Sequence, residues 1–391
     1  MSETFDHAFA IAAPGLAPLV AGELRALGIA PVATEPGGVE FRATPEQLYA
    51  ANLWLRTASR IVVRIGRFHA DAFYELEKRA RRVPWARYLA ADEPVRLRVT
   101  CRKSKLYHSD AVAERVGAAI ARVTGSGATV GADGGGDEET DGGGEDREAL
   151  VIVRLVRDEC TVSIDSSGAL LHRRGYRLAT AKAPMRETLA AAALISSGWD
   201  TRSPLLDPFC GAGTIPIEAA LLARRRAPGL ARPFAFMRWP EFEAARWAEL
   251  LARAQSGERA GALSPIIASD RDAGATAATV ANAVRAGVAA DIAVSTRALS
   301  AIEPPAEAGW VVTNPPYGVR VGDRLALRDL YAQFGHVVRT RCPGWRVAMV
   351  VGDRALAGAT GLALAVRLRT ANGGIPVTVM EGTTRTVEPL D

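Results

Sequence analysis

The second half of the sequence alternates short apolar runs with longer segments of helical periodicity. Strands are predicted at 203–207, 265–269, 291–295, 309–313, 345–351 and 376–381, and helices at 187–197, 213–226, 273–287 and 324–340. Strands that alternate with helices in this way form a mostly parallel sheet covered on both faces. The alternation therefore predicts a doubly wound α/β domain, in which ligands bind beside the carboxyl ends of the strands.

The first half has a different, α+β pattern. Helices are predicted at 17–27, 45–59, 71–83 and near 109–123, and strands at 37–43, 61–65 and 95–102. The last of these strands alternates apolar with basic residues. Its basic face is therefore a candidate nucleic-acid surface.

Charge is distributed unevenly along the chain. The net charge is +5 and the isoelectric point is about 9.2, although residues 125–147 are glycine-rich and strongly acidic. The rest of the chain is therefore more basic than the total, which suits a polyanionic partner or serves solubility alone. Residues 125–147 are predicted to be a disordered insertion, because such a composition cannot bury a core. Residues 165–186 are predicted to be a linker or a basic surface loop.

Composition also bears on the compartment. The four cysteines include no C-x-x-C pair, and the five histidines show no metal-ligand spacing. No run of about 18 apolar residues is present, and the first residues lack the basic region of a signal peptide. A cytoplasmic protein without a metal site or a membrane span is expected, and the sequence indicates no oligomeric state.

A glycine turn joins the first strand of the second half to its helix, in DPFCGAGTIPIEAA (207–220). Gly211 and Gly213 let the backbone bend tightly and approach a ligand, and a helix that begins near Thr214 directs free N–H groups toward it. The G-x-G-x-x-G fingerprint is absent, and Asp207 would repel a pyrophosphate. A cofactor with a cationic end is favoured, although an ordinary βα turn would use the same glycines for geometry alone.

The next strand ends in IIASDRD (266–272), where Asp270 can accept hydrogen bonds from both ribose hydroxyls of a nucleoside. The stretch 227–262 separates the two motifs and interleaves arginines with Phe234, Phe236 and Trp239. It has two interpretations. It contacts phosphates beside an active site, or it is a hydrophobic packing loop.

The fourth strand ends in VVTNPPYG (311–318). Exocyclic amines on bases are poor nucleophiles, because the nitrogen lone pair is delocalised into the ring. The Asn314 side-chain carbonyl and the Pro315 carbonyl can each accept one N–H, and the two rigid prolines, Pro315 and Pro316, hold both acceptors in place. Tyr317 offers a flat face on which an extruded base can stack. A tight loop with Asn as a turn former is the structural alternative.

With these motifs the chain resembles the THUMP-domain RNA methyltransferases that have a class I, S-adenosylmethionine-dependent catalytic domain. It is most similar to the bacterial 23S rRNA guanine-N2 methyltransferases. The resemblance covers almost the whole chain, through APGLAPLVAGELRALGI, PGGVEFRA, LWLRTASRI, LHRRGYR, APMRETLAAAALI, DPFCGAGTIPIEAA, SDRD, NPPYG and NGGIPVTVMEGT.

The resemblance implies a fold and a set of domains. It implies a Rossmann-like class I methyltransferase domain at 186–391, preceded by a ferredoxin-like α+β module at 1–66, a THUMP RNA-binding domain at 67–165 and a basic linker at 166–185. S-adenosyl-L-methionine would be the cofactor and RNA the partner, with 23S rRNA ahead of tRNA.

The resemblance also implies the site residues. The cofactor would be held by Glu187, Thr188, Asp207, Phe209, Gly211, Gly213, Thr214, Asp270 and Asn314. The target amine of guanine would be held by the turn that consists of Asn314, Pro315, Pro316 and Tyr317.

One position departs from the family pattern. The family commonly places an Asp after the third strand to hold the adenine amine, whereas Arg297 occupies that place in STRALSA (295–301). Backbone groups, Asp272 or Asp291 would hold adenine instead, or it would be held more weakly. A tRNA guanine-N2 methyltransferase and a non-catalytic RNA-binding or ribosome-assembly factor stay open as alternatives. The THUMP-like half argues against a DNA enzyme, and the glycine pattern argues against a dehydrogenase.

Overall fold

The computed structural model describes residues 5–125, 127–130, 148–178, 185–317 and 324–384. By their contacts these residues divide into two units. The first comprises the chain up to Ala12 with Val20–Leu171 and Arg232–Ala252, and the second comprises Ala13–Leu19, His172–Ala231 and the chain from Arg253 onward. The segment Arg232–Ala252 thus belongs to the first unit, although it lies in the second half of the sequence. None of the helices in these described ranges is long and apolar enough to cross a bilayer.

The first part of the chain forms a mixed sheet with helices. Its strands are β1 (Asp6–Ala12), β2 (Pro31–Glu35), β3 (Gly38–Ala43), β4 (Ala58–His69), β5 (Val95–Arg102), β6 (Ala128–Val130), β7 (Ala149–Val156) and β8 (Glu159–Asp165). Its helices are α1 (Ala17–Ala26), α2 (Pro45–Trp54), α3 (Phe73–Ala80) and α4 (Ser109–Thr124). Among the described residues the strand order is β2-β3-β1-β4-β8-β7-β5-β6.

Helix α2 ends at Trp54, five residues before the predicted end at 59, so that prediction was wrong at its C-terminal end. The carboxylate of Glu23 accepts the backbone N–H groups of Arg56 at 2.7 Å and Thr57 at 3.1 Å. A continuing helix would direct these N–H groups to carbonyls four residues earlier. The chain leaves the helix here, and β4 begins at Ala58.

The predicted disordered insertion at 125–147 needs a correction at its start. Ala128–Val130 form β6, which pairs in parallel with Val95–Leu97 of β5. A short run with two β-branched residues can pair with the edge strand of an existing sheet. The average composition of the whole segment does not show such a short run. Residues 126 and 131–147 lie outside the described residues.

The aromatic residues of the 227–262 stretch pack within the first unit. Phe236 stacks on Tyr49 with ring centroids 4.5 Å apart, and Trp247 meets Phe236 edge-on at 5.4 Å. Phe234 stacks on Phe236 at 5.3 Å and is almost fully buried. These contacts favour the packing interpretation of the stretch for its aromatic residues.

The second part of the chain forms the predicted, mostly parallel sheet. Its strands are β9 (Leu205–Asp207), β10 (Ile266–Asp270), β11 (Ile292–Thr296), β12 (Trp310–Thr313), β13 (Arg346–Val351), β14 (Leu364–Asn372) and β15 (Ile375–Thr383). Its helices are α5 (Glu187–Ser197), α6 (Thr214–Ala223), α7 (Ala244–Ser256), α8 (Ala273–Ala286), α9 (Arg324–Arg341) and α10 (Arg354–Ala359). The strand order is β11-β10-β9-β12-β13-β15-β14, with β15 antiparallel to both of its neighbours.

This order places a topological switch point at β9. The chain runs from β9 outward through β10 to β11, and then returns to β12 on the other side of β9. A crevice forms at the carboxyl ends of the strands where the order reverses. Buried residues of β12, β13 and α9, among them Val311, Met349 and Phe334, pack into a core that supports this edge.

Candidate functional site

A cavity of about 1300 Å³ lies at the carboxyl ends of β9, β10, β12 and β13. Its wall includes Asp207, Phe209, Gly211, Thr214, Asp270, Asn314, Pro315, Pro316 and Tyr317, all predicted as site residues. Three other predicted residues, Glu187, Thr188 and Gly213, do not line the cavity as the described residues form it. The turn after β12 thus meets the glycine turn after β9 at one edge of the sheet.

The glycine turn after β9 depends on two residues with positive φ. Gly211 has φ 53° and Gly213 has φ 85°, a region that favours glycine. A Cβ on Gly213 would lie 2.8 Å from Cγ2 of Thr279, so α8 packs directly against the turn. Gly213 therefore shapes the turn from behind, whereas Gly211 faces the cavity.

Asp207 is a buried carboxylate where β9 meets β12. Its Oδ1 accepts the Thr313 hydroxyl at 2.6 Å and the Phe209 backbone N–H at 3.1 Å. Burial raises the pKa of Asp207 to about 7; the two hydrogen bonds lower it, and nearby Asp270 raises it further. A positively charged group in the cavity would favour the ionised form of this carboxylate.

Asp270 joins the end of β10 to the glycine turn. Its Oδ2 accepts the Gly211 N–H at 3.1 Å, and its Oδ1 accepts the Asp272 N–H at 3.0 Å. Each carboxylate oxygen has a further lone pair, so the group can accept additional hydrogen bonds from a ligand. The two backbone contacts hold the carboxylate in one orientation at the cavity wall.

Beyond β11, Arg297 occupies the place at which the family resemblance implies a carboxylate. Arg297 pairs with Glu303 at 3.0 Å and is not part of the cavity wall, which residues 298–300 form here. Asp291 pairs with Arg224 at 3.1 Å, away from the wall. Asp272 does line the cavity, although its Oδ1 caps α8.

Asn314 follows β12 and presents a buried acceptor. Its Oδ1 is shielded from solvent and accepts no hydrogen bond from any residue that the structure describes. An unsatisfied buried polar group costs about 1–3 kcal/mol. Because Asn314 also lines the cavity, a donor group of a bound ligand can satisfy this oxygen. Pro315 is buried beside it and Pro316 is exposed, and both line the cavity.

Tyr317 is held from two directions. The Asn372 side-chain amide donates a hydrogen bond to its hydroxyl at 3.1 Å. On the other side, a Cβ on Gly352 would lie 2.7 Å from ring atom Cδ2, so the ring rests directly on the backbone after β13. Burial raises the pKa of Tyr317, against the hydrogen bond from Asn372, which lowers it. The side chain therefore stays neutral and its ring is fixed in one place.

Glu187 and Thr188 begin α5 and are buried behind the cavity wall. Arg177 donates to the Glu187 carboxylate at 2.9 Å and to the carbonyl of Met185 at 2.5 Å. Met185 and Arg186 line the cavity, so this ion pair supports part of the wall. Burial raises the pKa of Glu187 to about 7, although Arg177 opposes the shift.

The expectation of a basic surface loop at 165–186 was wrong for the part that is described. His172, Arg174 and Tyr176 are buried. The Tyr176 hydroxyl donates to the carboxylate of Glu218 on α6 at 3.1 Å, and Arg174 lies 3.5 Å from the same carboxylate. Local composition shows that the segment is basic, but it does not reveal the buried carboxylate of Glu218 that these side chains contact. Residues 179–184 lie outside the described residues.

Gly352 and Asn372 line the wall, and sequence reasoning assigned neither of them a role. Gly352 directly follows β13, the position at which a parallel strand contributes to such a crevice. Asn372 begins the N-G-G turn between β14 and β15, a recognisable hairpin signal. Their contacts with Tyr317 join strands far apart in sequence, and no local pattern reveals them.

The parallel sheet, its glycine turn, the carboxylate after β10 and the Asn-Pro-Pro-Tyr turn after β12 together define a methyltransferase fold and site. The chain belongs to the RMKL-like methyltransferase family, whose domain model matches residues 174–380. A model described as the RlmL ferredoxin-like domain matches residues 7–62. The α/β fold with a ferredoxin-like N-terminal domain is therefore confirmed.

Two relatives illustrate the extent of the similarity. The chain is 35% identical over 388 residues to a Synechocystis sp. protein named "Putative RNA methyltransferase slr0064", and the match covers 97% of each. It is 36% identical over 383 residues to the ribosomal RNA large subunit methyltransferase K/L of Syntrophotalea carbinolica. This match covers 94% of this chain and 52% of that protein. The chain spans about half the length of the K/L relatives it matches.

Two solved structures share the fold over nearly the whole chain. SMU.472, described as "a putative methyltransferase complexed with SAH", has a TM-score of 0.84 and 28% identity, and the match covers 99% of this chain and 100% of that one. A Listeria monocytogenes protein described as a predicted N6-adenine-specific DNA methylase has a TM-score of 0.82 and 31% identity and covers 97% of this chain and 96% of its own.

Proposed function

We propose that this protein transfers a methyl group from S-adenosylmethionine to the exocyclic N2 amine of a guanine in RNA. The observation that carries the proposal is the buried Asn314 Oδ1, which has no hydrogen-bond partner in the described part of the chain. It belongs to the same cavity wall as the carboxylates of Asp207 and Asp270. An acceptor for an amine N–H opposite a nucleoside-binding turn is an arrangement that amine methylation requires.

The residues of the cavity fit S-adenosylmethionine, which supplies an electrophilic methyl group on a sulfonium sulfur. A Cβ on Gly211 would meet nothing within 4 Å, so the space above this residue is open to a ligand. Asp207 would attract the cationic amino-acid end, and Asp270 would accept the ribose hydroxyls. Phe209 and Thr214 would contact the cofactor from the wall.

The remaining predicted cofactor residues would act from behind. Gly213 would hold the turn, and Glu187 would support Met185 and Arg186 through Arg177. Thr188 is buried beside Glu187 in the first turn of α5. We assign these three no direct contact with the cofactor.

Asn314 and Pro315 would hold the acceptor amine. The Asn314 Oδ1 and the Pro315 carbonyl would each accept one N–H, which directs the nitrogen lone pair at the methyl group. With S-adenosylmethionine bound, the nitrogen–carbon bond would form as the carbon–sulfur bond breaks, and the surplus proton would leave the nitrogen for solvent. Pro315 and Pro316 restrict the turn, so little reorganisation is needed at the moment of reaction. Tyr317 would stack on the base.

The names of the relatives support RNA as the substrate. One is named as an RNA methyltransferase and the other as a large-subunit rRNA methyltransferase, which favours 23S rRNA over tRNA. The activity of the longer K/L relatives is not transferred as a whole, since this chain spans about half of them. All four cysteines are free, which supports the cytoplasm as the compartment.

Two alternatives rest on specific observations. The Listeria neighbour carries the name of an adenine-specific methylase, and an Asn-Pro-Pro-Tyr turn could hold an adenine N6 amine in the same way. Arg297, in place of the family's acid, turns away toward Glu303, which favours a non-catalytic RNA-binding factor with a weakened cofactor site. A tRNA guanine is the alternative substrate within the same chemistry.

The test is a labelled-methyl assay on undermodified total RNA. The RNA is incubated with the protein and S-adenosylmethionine carrying a tritiated methyl group, separated into 23S, 16S and tRNA, and digested to nucleosides. We expect the label in N2-methylguanosine from 23S rRNA. Label in tRNA would establish the alternative substrate, label in N6-methyladenosine would overturn guanine, and no label in any fraction would favour the non-catalytic factor.

A further inference from the structure

The hairpin between β14 and β15 reaches the cavity at its tip. Asn372 and Ile375 are paired in register, and between them Gly373 has φ 57° and Gly374 has φ 85°. Two consecutive positive φ values characterise the tight type I′ hairpin, which fixes the direction of both strands. Asn372, Gly373 and Ile375 line the cavity, so a rigid turn presents them there.

Asn372 uses both ends of its side-chain amide. The Nδ2 group donates to the Tyr317 hydroxyl at 3.1 Å, and Oδ1 accepts the Arg186 backbone N–H at 3.3 Å. Tyr317 belongs to the turn after β12, whereas Arg186 is the N-cap residue of α5. One planar amide therefore links Tyr317, in the turn after β12, to Arg186 at the start of α5, and both of these residues line the cavity.

Tyr317 has little freedom to move once this hydrogen bond is made. Its ring already lies against the Gly352 backbone on the other side. Loss of the hydrogen bond from Asn372 would leave the hydroxyl end unrestrained, so the ring could rotate away from the position that Gly352 and Asn372 define together. The Arg186 contact transmits the same constraint to the start of α5.

We propose that Asn372 is a positioning residue for methyl transfer, which fixes the Tyr317 ring relative to the wall formed by Met185 and Arg186. The inference rests on the proposed function, because it treats Tyr317 as the surface on which the target base stacks. A misplacement of about 1 Å in a positioned group can cost on the order of 10²-fold in rate. Asn372 would therefore act on the rate of transfer and not on the affinity for the cofactor.

The test is a double-mutant cycle of Asn372→Ala, Tyr317→Phe and the double variant. Tyr317→Phe keeps the ring and removes only the hydroxyl. We expect each single variant to lower kcat by about 10-fold or more while the dissociation constant for S-adenosylhomocysteine stays within about 2-fold. The double variant should be no slower than the slower single variant, since both substitutions remove one shared interaction.

Two further variants separate positioning from general damage. Asn372→Asp keeps an oxygen for the Arg186 N–H and one to which the Tyr317 hydroxyl can donate, so we expect it to recover most of the rate. Thr370→Val is the matched control in the same strand, because the Thr370 hydroxyl is buried without a hydrogen-bond partner among the residues described. This control should keep the wild-type kcat.

The melting temperatures of the same variants provide a readout without any acceptor. If the decreases in melting temperature of the two single variants do not add in the double variant, the result supports the Asn372–Tyr317 link. This holds even if no guanine in RNA is methylated, because that outcome overturns only the proposed function. Strictly additive effects on both kcat and melting temperature would overturn the positioning role. Weaker cofactor binding with unchanged kcat in Asn372→Ala would overturn it as well.

Discussion

Gly352→Ala changes the position of Tyr317 without touching the proposed reacting groups. The added Cβ would lie 2.7 Å from Cδ2 of the ring and 3.2 Å from Cγ. Carbon atoms in contact prefer a separation of about 3.5–4.0 Å, so the ring must retreat by about 1 Å. Gly352 is not among the glycines with positive φ, so the backbone itself tolerates the change.

The substitution should change the rate of methyl transfer and not the affinity for the cofactor. A displacement of this size in a positioned group should lower the rate of methyl transfer by about 10²-fold. Overpacking costs about 1–3 kcal/mol in the free energy of unfolding, which leaves the protein folded at assay temperature. The cofactor dissociation constant should be unchanged, because Gly352 follows β13, whereas Asp207 and Asp270, the carboxylates proposed to hold the cofactor, end β9 and β10.

Single-turnover transfer of labelled methyl to RNA measures the rate, and calorimetric titration with S-adenosylhomocysteine measures the affinity. Gly358→Ala in α10 is the matched control, since a Cβ there meets nothing within 4 Å. This variant should keep full activity. Its free energy of unfolding should rise by roughly 0.5–1 kcal/mol, because alanine has a higher helix propensity than glycine. If Gly352→Ala transfers methyl within about 3-fold of wild type, the position of Tyr317 does not govern the rate.

Two other substitutions test the buried acids. Burial raises the pKa of Asp207 to about 7, so the carboxylate ionises between pH 6 and 8 and the affinity for the cationic S-adenosylmethionine should increase over this range. In calorimetric titrations Asp207→Asn should bind the cofactor weakly and without this pH dependence. Arg177→Met removes the ion-pair partner of the buried Glu187 carboxylate, and should lower the free energy of unfolding in urea by about 3–5 kcal/mol. The pKa of Glu187 is already above its ordinary value of 4.5 and would rise further without Arg177, so the folded state retains a proton that the unfolded chain releases. The loss should therefore be larger at pH 8 than at pH 6, and Arg177→Met/Glu187→Gln should recover part of it. An Arg177→Met variant with wild-type stability at both pH values would contradict this account.

Much of the second unit could be predicted from periodicity. Strands β9 to β13 lie within a few residues of their predicted bounds, because each is a short buried run bordered by turn residues. The carboxyl ends of parallel strands meet at one edge, which was sufficient to predict that Asn314 and Asp207 share a cavity. The structure adds a specific link, the hydrogen bond of Thr313 to Asp207.

The remaining features depend on partners that are distant in sequence. Helix α2 ends early because the Glu23 carboxylate accepts two backbone N–H groups. Arg174 is buried because it lies beside the buried carboxylate of Glu218. Asn372 contacts Tyr317 only because β15 runs antiparallel beside β13 and brings the hairpin to the cavity. Periodicity reports which residues face a core, but not which polar groups meet there.

Asn314→Ala removes the side-chain oxygen with which the turn after β12 is proposed to hold the amine. Binding of S-adenosylhomocysteine and single-turnover methyl transfer to RNA are measured on the same preparation. Binding should stay within about 2-fold of wild type while transfer falls by at least about 10²-fold, since the side-chain oxygen proposed to accept a hydrogen bond from the reacting amine is removed. An equal loss of binding and transfer, or a variant that transfers methyl at the wild-type rate, would contradict it.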